Sequence, residues 1–291
     1  MKFIRFKQGE RIVSALITSQ NEFVEIGDID YVTFYKLLKE NQWSAEIYID
    51  ENQLERQSNI EIYSLDLVVP IEADEVWASG VTYLQSKHAR NYEATDGKLN
   101  SETFYDKVYD APRPEIFMKS TKRRTVGPND NVYIRRDSNW QIPEPELGLV
   151  IGEGEEIIGF TLGNDMSCRD IEGENPLYLP QAKVWKNSCA LGPAILLPEA
   201  IDDPYSIELN CKIYRDGKEL FTGSASVSQL KRKLEELVHY LVYENDVIPG
   251  TVLLTGTCIV PPNSFTLEIG DEIVISSTQI GTLKNKVYQN Q

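Results

Sequence analysis

The sequence contains 291 residues, of which 41% are hydrophobic and 25% charged, and 29 Lys and Arg against 45 Asp and Glu give a net charge of −16 at pH 7. This length can bury one sizeable core, or one main domain with a small additional domain. The acidic balance argues against a nucleic-acid partner, because phosphate contacts need clustered Lys and Arg. The apolar runs are too short to span a bilayer, so we expect no membrane contact.

The cysteines indicate a reducing compartment. Four cysteines are widely spaced and form no CxxC pair. Free, mostly buried thiols are the natural interpretation of such spacing. Residues 1–7 alternate charged and apolar side chains, and they lack the continuous apolar stretch of a signal peptide. We therefore expect a cytoplasmic protein.

The first 70 residues predict a small α+β unit. Residues 2–7 and 11–18 have the pattern of a hairpin, and a third strand is predicted at 22–26. A helix at 32–39 and a strand at 61–69 follow, and Pro70 then interrupts the chain. We therefore predict a small N-terminal α+β domain over residues 1–70 and a catalytic domain over residues 71–291.

The rest of the chain is dominated by strand patterns. Strands are predicted at 75–80, 115–119, 131–136, 146–151, 156–162, 194–197, 207–214, 218–223, 251–255 and 271–277. Residues 229–243 have apolar positions at helical spacing, and Ser226, with Gln229 three residues later, forms a capping-box pattern at their start. Without βαβ alternation, a Rossmann fold or TIM barrel is disfavoured. The predicted fold class is a mixed, β-rich α+β fold.

Two further features limit the chemistry. Residues 85–108 are polar, aromatic and charged, a composition that suits a mobile lid.

The two histidines, His88 and His239, are too few for a multi-His zinc site and make a Ser-His-Asp triad improbable. His239 lies on the predicted amphipathic helix and is interpreted as an ordinary helix residue. Chemistry must then depend on carboxylates and lysines.

Two glutamates precede a buried strand. Glu144 and Glu146 are two residues apart, so in an extended chain they project from the same face, and an apolar run follows them. Such like charges repel, and one must stay protonated unless a cation lies between them. The alternative interpretation is a strand end with two solvated glutamates.

A third carboxylate is predicted beside them. The next strand ends at Asp165, and pairing through the turn at 153–154 returns it toward the two glutamates. Three carboxylates without imidazole or thiolate describe a site for a hard cation, so Mg²⁺ is predicted, with Mn²⁺ as the alternative. Calcium is disfavoured because no EF-hand loop is present, and zinc because His and Cys ligands are missing.

Five short motifs occur along the chain: GVTY at 80–83, PEIFMK at 114–119, EPE at 144–146, NDMSCRD at 164–170 and LTGT at 254–257. In this order they resemble the fumarylacetoacetate hydrolase family. Each motif is weak alone, whereas the ordered combination over residues 74–282 is specific. The stretch EGENPLYLPQAK at 172–183 is similar to the sugar-acid branch, and the resemblance to that branch extends from end to end.

The resemblance implies a β-roll with the active site at its mouth, in a homodimer or homotetramer. It implies Mg²⁺ held by Glu144, Glu146 and Asp165. Lys183 is expected to act in catalysis, and the matching motifs supply the residues expected to bind a 2-oxo acid substrate: Tyr83, Lys119, Arg169 and Thr257. Arg169 and the following Asp170 are alternatively supports for the metal site.

One departure concerns water activation. Hydrolytic members carry a histidine three residues after the tyrosine of the first motif, where its dyad with a glutamate activates water. Counting from Tyr83 gives Ser86 at that position, and His88 lies two residues further on. The hydrolytic dyad is therefore in doubt.

The expected activity depends on the metal. A 2-oxo acid can chelate Mg²⁺, which acidifies its C3 hydrogens and stabilises the enolate. Glu115 is the candidate base, with a salt bridge to Arg113 or Lys119 as its alternative role. We expect a Mg²⁺-dependent dehydratase that converts a 2-keto-3-deoxy pentonate into a 2,5-dioxo acid. The alternatives are a hydrolase that cleaves C–C bonds of acylpyruvates and other 2,4-diketo acids, and a catalytically silent, metal-stabilised assembly protein.

Overall fold

The computed structural model describes residues 1–58, 60–86, 91–92 and 108–289. Most of the predicted lid over 85–108 lies outside the described residues, as does His88. Within the described segments the longest helix has 11 residues, and no helix there combines the length and apolar character needed to cross a membrane.

The chain begins with an antiparallel meander of β1 (Lys2–Gln8), β2 (Arg11–Ile17) and β3 (Phe23–Gly27). Gly9 forms the first turn with φ of 65°, a conformation that glycine adopts without strain. Helices α1 (Tyr31–Asn41) and α2 (Ala45–Glu51) follow. Asp30 and Ser44 cap them by accepting the backbone N–H three residues on, which satisfies donors left free at a helix start.

The N-terminal elements are joined to the central sheet. Strand β1 pairs antiparallel with β13, at Lys2 with Leu196 and Phe3 with Ile195. Tyr31 of α1 packs edge-on against Phe3, with ring centroids 5.1 Å apart, and its hydroxyl donates a 2.5 Å hydrogen bond to the carbonyl of Ile158. The first 70 residues thus share a sheet and a core with the rest, and the domain boundary at residue 70 stays a prediction.

The remaining elements are mostly strands. They are β4 (Asp66–Leu67), β5 (Val76–Gly80), β6 (Glu115–Ser120), β7 (Thr125–Val126), β8 (Asn131–Ile134), β9 (Gln141–Ile142), β10 (Pro145–Ile151), β11 (Ile157–Asp165), β12 (Ser167–Cys168), β13 (Cys189–Leu196), β14 (Glu208–Arg215), β15 (Lys218–Ser226), β16 (Val252–Leu254), β17 (Glu272–Ser277) and β18 (Gly281–Gln289). The helices among them are α3 (Arg169–Glu174), α4 (Leu179–Lys183) and α5 (Leu234–Val242).

Two sheets face each other across the main core. In the described residues the larger has 11 strands, in the order β3-β2-β1-β13-β11-β10-β16-β5-β6 with β4 and β7 paired at its side. The smaller has the order β15-β14-β17-β18-β8. Their facing side chains, such as Leu149 and Ile275, form one buried cluster that also takes up Leu237 of α5. The predicted mixed, β-rich α+β class is confirmed.

The structure differs from the predicted elements at three places, the first being the strand expected at 61–69, where a 3₁₀ turn (Ile62–Ser64) precedes the two-residue β4. Helix α5 begins at Leu234 rather than 229, and Ser226 caps a separate 3₁₀ turn, Val227–Gln229. Residues 230–233 lie between the turn and the helix, and one of their backbone groups, the Lys231 N–H, donates to the Thr82 carbonyl at 3.0 Å. Strand β18 was not predicted. Buried and exposed residues alternate along β18, and one of the buried positions is the polar Asn285. Its side chain donates to the Gly127 carbonyl at 2.9 Å.

The β10–β11 hairpin places the carboxylates. Glu146 pairs with Gly163 and Pro145 with Asn164, as the predicted turn requires, and Gly154 adopts φ of 66° in that turn. The start of β10 and the end of β11 therefore lie side by side, at the same end of the sheet.

The Tyr31 hydroxyl offers a test of how α1 is attached. Tyr31→Phe leaves the buried Ile158 carbonyl without this donor, so we expect the free energy of unfolding to fall by about 1–2 kcal/mol. Urea unfolding measures it. Tyr35→Phe is the matched control, since Tyr35 is half-buried and its hydroxyl bonds Glu156 at 3.3 Å. Equal losses in both variants would contradict the assigned role.

Candidate active site

Three carboxylates meet at the end of the β10–β11 hairpin. Ligand oxygens of Glu144, Glu146 and Asp165 all lie within 4.8 Å of one another. Their exposed fractions are 4%, 2% and 1%. The glutamates are therefore buried, not solvated as the alternative interpretation had it.

Backbone and amide groups fix these carboxylates. The Asp165 N–H donates to the Glu144 carbonyl at 2.9 Å, and the Glu144 N–H donates to the side-chain oxygen of Asn164 at 3.2 Å. The Gly256 N–H donates to Glu146 Oε2 at 2.6 Å. Gly256 has φ of 94°, and a Cβ there would lie 1.9 Å from the Thr82 hydroxyl oxygen. Only glycine fits this approach.

Two lysines and an arginine are buried against the carboxylates. The Lys183 ammonium contacts Glu144 Oε2 and lies 3.2 Å from Asp165 Oδ2. Arg169 Nη2 donates to Glu144 Oε1 at 2.8 Å. Lys119 Nζ lies 2.7 Å from Asp165 Oδ1, donates to the Met166 carbonyl at 2.8 Å and lies 5.0 Å from the centre of the Trp185 ring.

A fourth carboxylate was missed in the sequence. Glu172 is 1% exposed, accepts a 3.0 Å hydrogen bond from the Ser167 hydroxyl, and its Oε1 lies 4.0 Å from Lys183 Nζ. The signal that could have found it is its spacing from Arg169, because residues i and i+3 of a helix share a face. Asp170 faces elsewhere, accepting from the Ser138 hydroxyl and the Asn139 N–H, each at 2.6 Å.

The donor set fits a magnesium ion. Among the described residues, the buried carboxylates of Glu144, Glu146, Asp165 and Glu172 outnumber the three buried cationic groups by one, so these side chains together are anionic when all are ionised. Burial, reinforced by the Asp165 and Glu144 carboxylates, raises the pKa of Glu146 well above its ordinary value. An oxygen-only triad with excess negative charge is what a hard divalent cation requires.

A small cavity opens on the triad. Besides the three carboxylates, its described wall consists of Ser79, Gly80, Val81, Ser86, Phe117, Arg169, Lys183 and Thr257. Arg169, Lys183 and Thr257 were predicted from the sequence, and the structure brings them to this wall.

The other predicted residues lie beside the wall rather than in it. Glu115 lies over Gly80, because a Cβ on Gly80 would fall 1.8 Å from Glu115 Oε2. Lys119 is fully buried behind Asp165. Tyr83 is 2% exposed, and burial, with the nearby Cys258 and Glu146, raises its pKa well above the ordinary value.

Comparison with known proteins identifies the family. Residues 75–288 match the fumarylacetoacetate (FAA) hydrolase C-terminal family. The chain belongs to this family. The resemblance seen in the sequence is thereby confirmed, and with it the fumarylacetoacetate-hydrolase-like fold.

Relatives and solved structures point to one branch of the family. The chain is 41% identical to the probable 2-keto-3-deoxyxylonate dehydratase of Haloferax volcanii over 96% of each chain. It is 42% identical to the 2-dehydro-3-deoxy-D-arabinonate dehydratase of Saccharolobus solfataricus over 80% of this chain and 78% of the relative. A structure of 2-keto-3-deoxy-D-arabinonate dehydratase complexed with magnesium and 2,5-dioxopentanoate is similar with a TM-score of 0.86, 35% identity and full coverage of both chains.

The position that carries a histidine in hydrolytic family members lies in the cavity wall here. Ser86 occupies it. Its hydroxyl donates to the Tyr83 carbonyl at 2.7 Å and accepts from the Tyr83 N–H at 3.2 Å. A serine held by its own turn offers no imidazole base at this position.

Removal of one ligand tests the magnesium site. Glu146→Gln keeps the shape and the acceptor for the Gly256 N–H but loses a charged ligand. We expect Mg²⁺ affinity to fall at least ~10-fold, turnover to disappear, and the unfolding temperature to stay unchanged or rise, because like-charge repulsion is relieved. Calorimetric titration, activity assays and thermal unfolding measure these. EDTA should abolish turnover reversibly, and full activity after exhaustive chelation would disprove the metal site.

The raised pKa of Glu146 predicts a pH dependence of metal binding. Below that pKa the carboxyl group carries a proton that Mg²⁺ must displace. The affinity for Mg²⁺ should therefore fall by about tenfold for each unit by which the pH decreases. Calorimetry in two buffers of different ionisation enthalpy measures the released proton. Glu146→Gln should show a shallower dependence and release fewer protons. Identical pH profiles for the two proteins would contradict the assignment.

Proposed function

We propose that this protein is a Mg²⁺-dependent hydro-lyase that removes water from a 2-keto-3-deoxy pentonate and yields a 2,5-dioxo acid. The observation that carries the proposal is the buried triad of Glu144, Glu146 and Asp165 with Lys183 against it. Two relatives at 41% and 42% identity are named as dehydratases of such sugar acids. A solved structure of similar fold holds magnesium together with 2,5-dioxopentanoate.

The charge of the site suits a 2-oxo acid. Among the described residues of the site, four buried carboxylates face three buried cationic groups, and the Glu115 carboxylate beside the wall adds to this negative excess, which a divalent cation would offset. The carboxylate of a 2-oxo acid would then pair with the metal and with the Lys183 ammonium, and buried charge is tolerated when it is paired. When bound, Mg²⁺ supplies the Lewis acidity that makes the C3 hydrogen of a 2-oxo acid removable.

Glu115 and Lys183 are the proposed catalytic residues. Glu115 takes the C3 proton, since its carboxylate lies over Gly80 of the cavity wall. Lys183, against Glu144 and Asp165 of the triad, contributes positive charge and hydrogen bonds to the substrate oxygens. The electrons of the broken C3–H bond form the C3–C4 double bond, and the C4 hydroxyl leaves as water after taking up a proton. Proton transfer from C5 to C3 and ketonisation then give the aldehyde at C5.

Four other side chains are proposed to bind the substrate. Thr257, in the cavity wall, holds the substrate carboxylate through its hydroxyl and backbone N–H. Arg169 reaches the same cavity while it fixes Glu144. Tyr83 and Lys119 are the remaining two, and both are fully buried next to the triad.

Elimination is favoured over C–C bond hydrolysis by Ser86. Hydrolysis of a 2,4-diketo acid needs an activated water, and the wall position of the hydrolytic histidine holds this serine. Elimination needs only the metal, a C3 base and a proton for the departing hydroxyl. Hydrolysis of acylpyruvates is therefore the second candidate function.

The compartment and assembly belong to the same proposal. The four cysteines Cys168, Cys189, Cys211 and Cys258 are all free, which suits the cytoplasm, where thiols stay reduced. A homodimer or homotetramer is proposed because large apolar side chains remain exposed, Leu177 at 84%, Tyr63 at 62% and Ile269 at 60%. Burial of such groups against a second copy is favourable.

Substitution of the two catalytic residues tests the reaction. Lys183→Ala and Glu115→Gln should each lower turnover of 2-keto-3-deoxy pentonates about 10²-fold or more, as expected of groups acting in the transition state. Lys186→Ala, three residues from Lys183, is the matched control and should keep near-full activity. Products are identified by mass. If acylpyruvates are cleaved to pyruvate faster than any sugar acid loses water, the hydrolase function replaces this one.

A further inference from the structure

The ammonium of Lys183 lies on two of the carboxylates that would hold a divalent cation. Lys183 Nζ contacts Glu144 Oε2 and lies 3.2 Å from Asp165 Oδ2, and both carboxylates belong to the metal triad. An ammonium and Mg²⁺ on the same buried carboxylates repel strongly, because little water screens them. Binding of the metal therefore favours a shift of the Lys183 ammonium toward another anion.

Glu172 is placed to receive this ammonium. Its Oε1 lies 4.0 Å from Lys183 Nζ, so a displacement of about 1 Å closes an ordinary charge-assisted hydrogen bond. The other oxygen of Glu172 is fixed by the Ser167 hydroxyl at 3.0 Å. Glu172 and Lys183 are each 1% exposed. The pair is therefore buried away from water. In such an environment, loss of the charge of one partner is costly.

We propose that Glu172 is a positioning residue for Lys183, taking its ammonium when Mg²⁺ occupies the oxygens of Glu144 and Asp165. Lys183 then remains charged in the cavity wall instead of opposing the metal. The Phe117 ring, whose centre lies 5.7 Å from Lys183 Nζ, supports the ammonium through a cation–π contact. The inference rests on the magnesium site of the proposed function, but not on the elimination reaction.

A double-mutant cycle read out by calorimetric Mg²⁺ titration tests the inference. The proteins are the wild type, Glu172→Gln, Lys183→Met and the double variant. Glu172→Gln should weaken Mg²⁺ binding ~10-fold in the wild-type background. In the Lys183→Met background, where no ammonium must be received, the same substitution should change affinity less than ~2-fold. Lys183→Met alone should bind Mg²⁺ at least as tightly as the wild type.

Two further variants separate position from charge and from folding. Glu174→Gln removes an exposed carboxylate from the same helix and should leave Mg²⁺ affinity unchanged. Ser167→Ala keeps the charge of Glu172 but releases its fixed oxygen. It should weaken Mg²⁺ binding ~3-fold, and only when Lys183 is present. This variant carries the test if Glu172→Gln unfolds.

The outcomes distinguish this inference from the proposed reaction. An equal loss of affinity in both backgrounds means that Glu172 acts only by its charge on the metal, and the inference is overturned. Unchanged affinity in Glu172→Gln overturns it as well. A wild-type protein that binds no Mg²⁺ overturns both proposals. A protein that shows the predicted coupling but dehydrates no sugar acid supports the positioning role and rejects the reaction.

Discussion

Everything at the active site depends on holding like charges together away from water. Glu144, Glu146 and Asp165 lie within 4.8 Å of one another, and repulsion and desolvation both oppose their ionisation. The protein meets this constraint with buried cationic partners, Lys119, Lys183 and Arg169, rather than with solvent. Among the described residues the buried carboxylates of the site still outnumber the buried cationic groups, and this negative excess favours a divalent cation.

The fold supplies rigid positions for these groups. Glu146 and Asp165 lie in the two strands of one hairpin, and Glu144 directly precedes the first of them. The register of the hairpin is fixed by pairing of Glu146 with Gly163. Gly256 brings its N–H to Glu146 from a neighbouring strand end, and Lys119 reaches Asp165 from β6. Strand interiors of a close-packed sheet hold side chains more tightly than loops. Such rigidity suits charge stabilisation, which requires groups that are aligned before the reaction.

The same scaffold is suited to more than one reaction of an activated 2-oxo acid. In the proposed function, the triad would hold the metal that supplies Lewis acidity toward C3, and the surrounding wall would determine the next chemical step. Here the described part of that wall presents Ser86 and Lys183, and Glu172 lies 4.0 Å from the Lys183 ammonium. Ser86 stands at the position where hydrolytic members carry a histidine. The proposed choice between elimination and hydrolysis therefore depends on this wall position rather than on the triad.

The sequence by itself determined what is local. Glu144 and Glu146 are two residues apart, and they were expected on one face because side-chain direction in a strand alternates with period two. A single predicted turn then returned Asp165 to them. Most strands followed from the same periodicity. Only the tertiary structure decided the partners: Glu172 beside Lys183, Lys119 behind Asp165, and β1 against β13. Periodicity reports which face of an element is buried, whereas contacts between distant elements depend on how those faces pack.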